Sequence, residues 1–389
     1  LMGRYRSLAG VIAAMGIVNL VYGITFPLLA LVLDSQQVSK TLIGLSTMTQ
    51  AASIFLVAPL APRLLQRLPA GQLMQYSAIL LALLFLLAGA FQNVYFWFPL
   101  RFVLGALNAL LWIASEALIN ELAPDHRRGR IISVYSSVGA AGFALGPLLL
   151  ILTGAEGMLP FVATSIMVLL SAAPLFVVRH PERVAQPGKS AGFWTIFMLA
   201  PTIMLANFAY SAAAESIITF FPLFGIHFGL SQSFAMGLMT LVGAGSMILI
   251  LPLGWVADRV DKMGMLSLII LLTMVGLLLM PMMVQKTALA PLFFFLFGGV
   301  EGMIYALGVT LVGERFKGAM LAGAFTVFTT FWGAGTVTGP LLVGAGMDVF
   351  GAGAMAVVIF VIFAIYLPLP VIAWFKGRAS AQREAASLE

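Results

Sequence analysis

The chain has 389 residues, 61% hydrophobic and only 9% charged, against roughly 25% charged in an average soluble domain, which excludes a soluble globular fold and implies a membrane protein. The formal charge of +6 does not point to nucleic acid, because the basic residues fall in short clusters between apolar segments with no aromatic interleaving. Cysteine is absent, so disulfides and thiolate metal sites are excluded. The three histidines, His126, His180 and His227, lie far apart at predicted helix ends, so no metal and no cofactor is expected.

Apolar runs long enough to cross a membrane, which takes about 20 helical residues for about 30 Å of hydrocarbon, recur along the whole chain. They fall near residues 9–33, 42–62, 72–91, 95–119, 132–152, 158–178, 193–226, 232–256, 264–284, 288–312, 320–344 and 352–375, which predicts an all-α membrane protein with 12 transmembrane helices. The seventh run is long enough to tilt, or to hold a break near Pro222. Lysine and arginine set the orientation. With the amino terminus inside, Arg4, Arg6, Arg63, Arg67, Arg127, Arg128, Arg130, Arg179, Arg183, Lys189, Arg259, Lys262, Arg315, Lys317, Lys376, Arg378 and Arg383 are all cytoplasmic. Only Lys40 and Lys286 then lie outside, Arg101 lies within the membrane, and both termini are cytoplasmic.

The stretch RHPERVAQPGKSAG, Arg179 to Gly192, is the longest polar segment and divides the chain into six helices plus six. The expected organisation is an amino-terminal six-helix bundle over 1–178, a cytoplasmic inter-bundle loop over 179–192, a carboxy-terminal six-helix bundle over 193–376 and a cytoplasmic tail over 377–389. The halves echo each other at an offset of 193: Gly105 on Gly298, Asn108 on Glu301, Trp112 on Tyr305, Glu121 on Glu314, Gly142 on Gly335, and Gly146-Pro147 on Gly339-Pro340. Glycine is abundant, so the charged, aromatic and Gly-Pro matches carry the most weight; they predict a parallel internal repeat.

GWVADRVDK, Gly254 to Lys262, resembles the loop signature of the major facilitator superfamily, which recurs between the second and third helices and between the eighth and ninth. The first copy, APLAPRLLQR from Ala58 to Arg67, keeps Arg63 and Arg67 but has Pro62 where the aspartate belongs. RFVLGALNA at Arg101 to Ala109 resembles the family's fourth-helix motif, and GAAGFALGP at Gly139 to Pro147 the fifth-helix motif common in its antiporters. The resemblance covers essentially the whole chain, and WIASEAL followed by RRGR is similar to a YcaD-like group of bacterial inner-membrane proteins. It implies two six-helix pseudo-repeat bundles in a bacterial cytoplasmic membrane. The first, fourth, seventh and tenth helices would line a central cavity, with the third, sixth, ninth and twelfth outside.

Charge placement agrees independently. The cores of the third, sixth, ninth and twelfth segments hold no charged residue, whereas Arg101, Glu116, Glu215 and Glu301 fall in the fourth, seventh and tenth. A charge facing lipid there would cost about 2.5–3.5 kcal/mol on insertion scales, so these groups should face protein or water. Glu215 and Glu301 lie near mid-helix and are candidate proton carriers, since the protonation of a carboxyl group responds to its surroundings. The other reading is an acid satisfied by a neighbouring tyrosine, asparagine or arginine. Glu301 is preferred because Asn108 holds the matching place in the other half; Glu215 could instead bind a cationic substrate group. The family motif implies a proton-coupling role for Arg101 through pairing with a cavity acid, the alternative being a static helix-helix anchor.

Polar and aromatic residues of the same helices could complete a substrate site, or could equally be packing: Asn19, Tyr22, Asn108, Trp112, Asn207, Tyr210 and Tyr305, with Trp332 in the eleventh. Aromatic walls with a few hydrogen-bonding groups suit amphipathic organic molecules. For gating, Gly142 and Gly146, like Gly335 and Gly339, are four apart and present flat faces that predict tight contact between the halves. Pro147 and Pro340 loosen the helices one residue later. By resemblance, Asp258 caps the positive amino end of the fifth helix while Arg259 reaches Glu314, forming a latch; the alternative is a topology-setting charge cluster. Glu116 and Glu121 are expected to form ion pairs near the cytoplasmic mouth.

GAGSMI near Gly243 and GAGTVTG near Gly333 lack the preceding strand of a phosphate loop, and no nucleophile elbow or zinc-protease pair is present, so an enzyme is not expected. The expected protein is a monomeric, proton-coupled secondary transporter in contact with membrane lipid. It would export a small amphipathic organic molecule, drug or metabolite, by antiport and alternating access. The alternative is an importer, by proton symport or facilitated diffusion, of a nutrient or metal-chelating metabolite.

Overall fold

The computed structural model describes residues 2–57, 59–124, 127–178, 192–317 and 319–376. Of the predicted inter-bundle loop only Gly192 is among them; the tail 377–389, His126 and His180 lie outside the described residues, as do the side chains of Pro62, Arg128 and Arg130. The described elements are helical: α1 (Met2–Ser35), α2 (Lys40–Val57), α3 (Ala61–Arg67), α4 (Ala70–Ala90), α5 (Val94–Leu122), α6 (Arg128–Thr153), α7 (Leu159–Ala172), α8 (Phe193–Leu199), α9 (Pro201–His227), α10 (Gln232–Ala257), α11 (Lys262–Gln285), α12 (Ala290–Arg315), α13 (Ala319–Phe350) and α14 (Ala354–Tyr366). A 3-10 segment, Ala173–Val177, prolongs α7, and a helix over 368–376 continues α14 beyond Leu367.

Ten helices among the described residues are long and apolar enough to cross a membrane. Two more predicted spans correspond to α2 and α13, whose sequences are rich in serine, threonine and glycine, and these two pack along each other. Small side chains let helix backbones approach closely, so such helices face a neighbour better than they face lipid. The break in the seventh run falls at Ala200, between α8 and α9, and not at Pro222, which lies inside α9. Pro201 stands at the start of α9, where its missing N–H costs nothing, and it holds Ala200 out of the helical region at φ −144° and ψ 52°.

The outer helices match the charge pattern. Leu80, Leu83 and Leu87 on α4, Ile166, Leu169 and Leu170 on α7, Leu268, Leu271, Leu272 and Val275 on α11, and Val357, Val361 and Ile365 on α14 are exposed apolar stripes at helical spacing. The internal repeat is visible in equivalent contacts. A Cβ on Gly105 of α5 would come within 2.9 Å of the Gln50 carbonyl carbon on α2, and one on Gly298 of α12 within 2.6 Å of the Val242 carbonyl carbon on α10. These glycines bring each helix against the corresponding partner in its own half.

The two ends of the bundle differ. At the far end, between α1 and α2, Asp348 of α13 accepts hydrogen bonds from the backbone N–H groups of Lys40 and Thr41, at 2.8 and 2.7 Å, and from the Thr41 hydroxyl at 2.6 Å. Lys40 also pairs with Asp34. Residues 23–33 of α1 and 215–225 of α9 are buried throughout. Toward the end carrying Arg4 and Glu314, Trp112, Glu116 and Tyr305 are exposed. The halves are thus tied together at the far end, whereas side chains between them are exposed toward the end that bears the first residues.

Candidate functional site

α5 begins at Asn93, whose Oδ1 accepts from the N–H groups of Tyr95 and Phe96 and fixes the start of the helix. From there Arg101, Asn108, Trp112 and Glu116 follow at spacings of seven and four, along one helix face. Arg101 is fully buried. It donates from Nε to Gln50 Oε1 at 3.1 Å and from Nη1 to Ser46 Oγ at 2.7 Å, both on α2, and its Nη2 has no hydrogen-bond partner. Glu215 of α9 and Tyr22 of α1 lie within electrostatic range of this guanidinium, and Glu215 Oε1 also lacks a hydrogen-bond partner. A buried base of the first half and a buried acid of the second therefore face each other without closing into a direct pair.

The second acid has different surroundings. Glu301 of α12 is 4% exposed, its Oε1 is without a partner, and Tyr210 lies within electrostatic range. One turn further along α12, Tyr305 meets Tyr210 at 5.9 Å and Trp332 of α13 at 5.3 Å between ring centroids, and Tyr210 meets Trp332 at 5.5 Å. Three predicted site residues are thus gathered into one aromatic wall, with Phe328 beside Tyr305. Glu116 approaches from the other half and is within electrostatic range of Tyr305 and of Tyr135 on α6. Tyr135 shares a hydrogen bond of 2.8 Å with Ser115.

Other predicted site residues sit in packing positions. Asn19 donates to the Met15 carbonyl of its own helix at 2.8 Å and lies against Gly139 of α6. Asn207 donates to the Phe328 carbonyl at 2.7 Å, tying α9 to α13, and leaves Oδ1 unpartnered. Tyr22 contacts Phe26 and Phe143 edge-on or tilted. Tyr22, Thr25, Gln50, Leu104 and Asn108 border a small cavity of about 20 Å³ inside the first half.

The gate residues depart from expectation in two respects. Gly142 and Gly146 of α6 do not meet the opposite half. They lie against Gly16, Leu20 and Gly23 of α1, while Gly335 and Gly339 of α13 lie against Phe208, Ser211 and Ala212 of α9. The flat faces are close-approach surfaces, but each is used inside its own half, immediately before Pro147 and Pro340. Between halves the close approaches include Gly44 of α2 on the Pro340 carbonyl and Gly344 of α13 on the Lys40 carbonyl, where an added Cβ would come within 2.8 Å of each carbonyl carbon, with Gly243 of α10 on Ala144 of α6, 2.6 Å from the alanine Cβ, and Gly333 of α13 on the Phe55 ring, at 2.8 Å. The other departure is at Glu314, whose partner is Lys262 at 2.9 Å. Arg259 instead folds over Trp255, 3.5 Å from the ring centroid, and donates to the Trp255 carbonyl at 2.6 Å. The reason is reach: Arg259 lies one turn after Trp255, whereas Lys262 opens α11 beside the end of α12. Asp258 is exposed at the end of α10, within electrostatic range of Lys262. The backbone carbonyls of Glu121 and Leu122 receive Arg4, while Glu121 Oε2 has no hydrogen-bond partner.

Residues missed by inspection of the sequence are Gln50 and Ser46, which hold Arg101, and Asp348, which binds the start of α2. The signal that singled out Arg101, a polar group inside an apolar run, was available for Gln50 and Asp348 as well.

A family model described as Major Facilitator Superfamily matches residues 11–284 and 203–388. Among curated relatives, the MFS-type transporter YfkF of Bacillus subtilis is 22% identical over 342 residues, covering 84% of this chain and 85% of the relative. The MFS-type transporter YcaD of Escherichia fergusonii is 24% identical over 276 residues, 70% of each chain. Among solved structures, the nucleoside transporter NupG superposes with a TM-score of 0.75 at 14% identity, covering 95% of this chain and 99% of that one. A D-xylose-proton symporter superposes with a TM-score of 0.75 at 15% identity, covering 94% and 97%.

Proposed function

The chain belongs to the Major Facilitator Superfamily, and from that premise we propose that it is a proton-coupled antiporter that exports a small amphipathic organic molecule by alternating access. Support comes above all from the pair of buried acids. Glu215 and Glu301 each leave a carboxyl oxygen without a hydrogen-bond partner, and Glu215 faces Arg101 across the boundary between the halves. A buried carboxyl group exchanges its proton when a cation approaches or withdraws. Rocking of the halves changes the separation of Arg101 and Glu215, so Arg101 couples proton release at Glu215 to the conformational change. Glu301 is the second proton carrier and stands beside the wall of Tyr210, Tyr305 and Trp332 where substrate binds. Tyr22, Asn108 and Trp112 complete the site from the first half, while Asn19 and Asn207 pack the helices that carry it.

The tied far end and exposed opposite end correspond to one of the two states that alternating access requires. In the opposite state Asp258, Arg259, Glu314, Glu116 and Glu121 close the now open end, while Gly142, Gly146, Pro147, Gly335, Gly339 and Pro340 let α6 and α13 slide on α1 and α9. We place the protein as a monomer in the bacterial cytoplasmic membrane with both termini inside. The boundaries are a bundle over 1–178, a loop over 179–192, a bundle over 193–376 and a tail over 377–389.

The test uses purified protein in proteoliposomes with an imposed pH gradient and a substrate taken from a thermal-shift screen. Glu301→Gln and Glu215→Gln should each abolish uphill transport while leaving exchange at equal pH. Undiminished proton-driven transport in both variants would remove the carrier assignment. Depletion of substrate from expressing cells is the expected direction; accumulation would make the protein an importer.

A further inference from the structure

Tyr210, Tyr305 and Trp332 come from three different helices and present a continuous aromatic wall, with centroids 5.3–5.9 Å apart. Tyr305 is 40% exposed on the open side, so the wall can be reached by a solute. Aromatic faces carry negative quadrupole density and attract organic cations, most of all when water is excluded. Glu301 stands one turn from Tyr305 on the same face of α12, buried, with Oε1 unpartnered. The chain supplies Arg101 within electrostatic range of Glu215 but supplies no basic residue, among those described, within range of Glu301. A buried carboxylate without a counter-charge is unstable, so it must take a proton or a cation from outside the protein. Glu116 of the other half lies at the mouth, within range of Tyr305.

We infer that the wall of Tyr210, Tyr305 and Trp332 with Glu301 is the seat of a monovalent organic cation, an amine or quaternary ammonium bearing apolar groups. This deepens the transporter reading and rests on it. An anion would be repelled by the Glu301 carboxylate. Cation and proton then compete for the Glu301 carboxylate: the cation binds as that proton leaves.

The test is equilibrium binding to the full chain in detergent or nanodiscs, read by tryptophan fluorescence and calorimetry. The probes are benzyltrimethylammonium and tetraphenylphosphonium, with neopentylbenzene as the uncharged counterpart of the first. At least one cation should bind, and benzyltrimethylammonium should bind about tenfold or more tightly than neopentylbenzene. Cation affinity should fall as pH is lowered, with proton release on binding. Glu301→Gln should remove the charge preference and the pH dependence, Glu301→Asp should retain part of both, and Tyr305→Leu should weaken cation binding about tenfold while Tyr305→Phe preserves it. Failure of both cations to bind, or equal affinity for the charged and uncharged probes, overturns the inference. If a neutral substrate is driven by the pH gradient and needs Glu301, the antiport proposal stands and the cation seat falls. If cations bind through Glu301 but no pH gradient drives them, the seat stands and the coupling falls.

Discussion

Arg101 shows how a single residue acquires its meaning from neighbours distant in the chain. Its two hydrogen bonds go to Gln50 and Ser46, more than forty positions earlier, which hold the guanidinium in the first half and leave only Nη2 for Glu215. Gln50→Leu would remove one acceptor and leave a second donor of a buried cation unsatisfied. The expected cost is about 1–3 kcal/mol of stability, read as a lower melting temperature in detergent, whereas Gln50→Glu should retain Arg101's partner and the melting temperature. At this scale the sequence exposed which residues were unusual. It could not reveal which of Glu215 and Glu301 faces Arg101, because both are mid-helix acids and only the packing of α5 against α1 and α2, and of α1 against α9, separates their surroundings.

Helices were the most legible elements. Every predicted apolar run has a helical counterpart, since an apolar stretch of this length has no other way of satisfying its backbone in lipid. Their partners were less legible. The glycine pairs of α6 and α13 promised close approach without naming the helix approached, because a flat face fits any neighbour of suitable shape. A graded series tests the packing: Gly146→Ala would press a methyl into the Leu20 carbonyl and Gly23, and should lower stability by more than 1 kcal/mol through overpacking. Gly313→Ala meets nothing within 4 Å and should be neutral or stabilising by up to about 1 kcal/mol. Equal melting temperatures for the two variants would contradict the assigned contacts.

At the scale of the molecule, Asp348 joins the halves at the far end by three hydrogen bonds to the start of α2, which an anion also stabilises through the helix dipole. The group is exposed, so the junction is worth about 1 kcal/mol, roughly fivefold in the balance between closed and open far ends. Asp348→Ala should therefore enrich the state open at the far end. The absence of native cysteine permits spin labels at Gln36→Cys and Phe350→Cys with no background, and their distance distribution should gain a longer component. An unchanged distribution would assign the closure to the apolar contacts of α1 with α9 instead.

The sequence by itself determined that this is a helical membrane protein with a doubled architecture, and that charge is confined to inward-facing helices. Each of these follows from the cost of exposing a backbone group or a charge to hydrocarbon, which acts on one segment at a time. Tertiary structure alone decided that Lys262 rather than Arg259 meets Glu314, that the glycine faces serve their own halves, that the seventh run breaks at Ala200, and that Tyr210, Tyr305 and Trp332 share one wall beside Glu301. Those outcomes depend on the register and rotation of helices far apart in the chain, which a segment's own hydrophobicity does not encode.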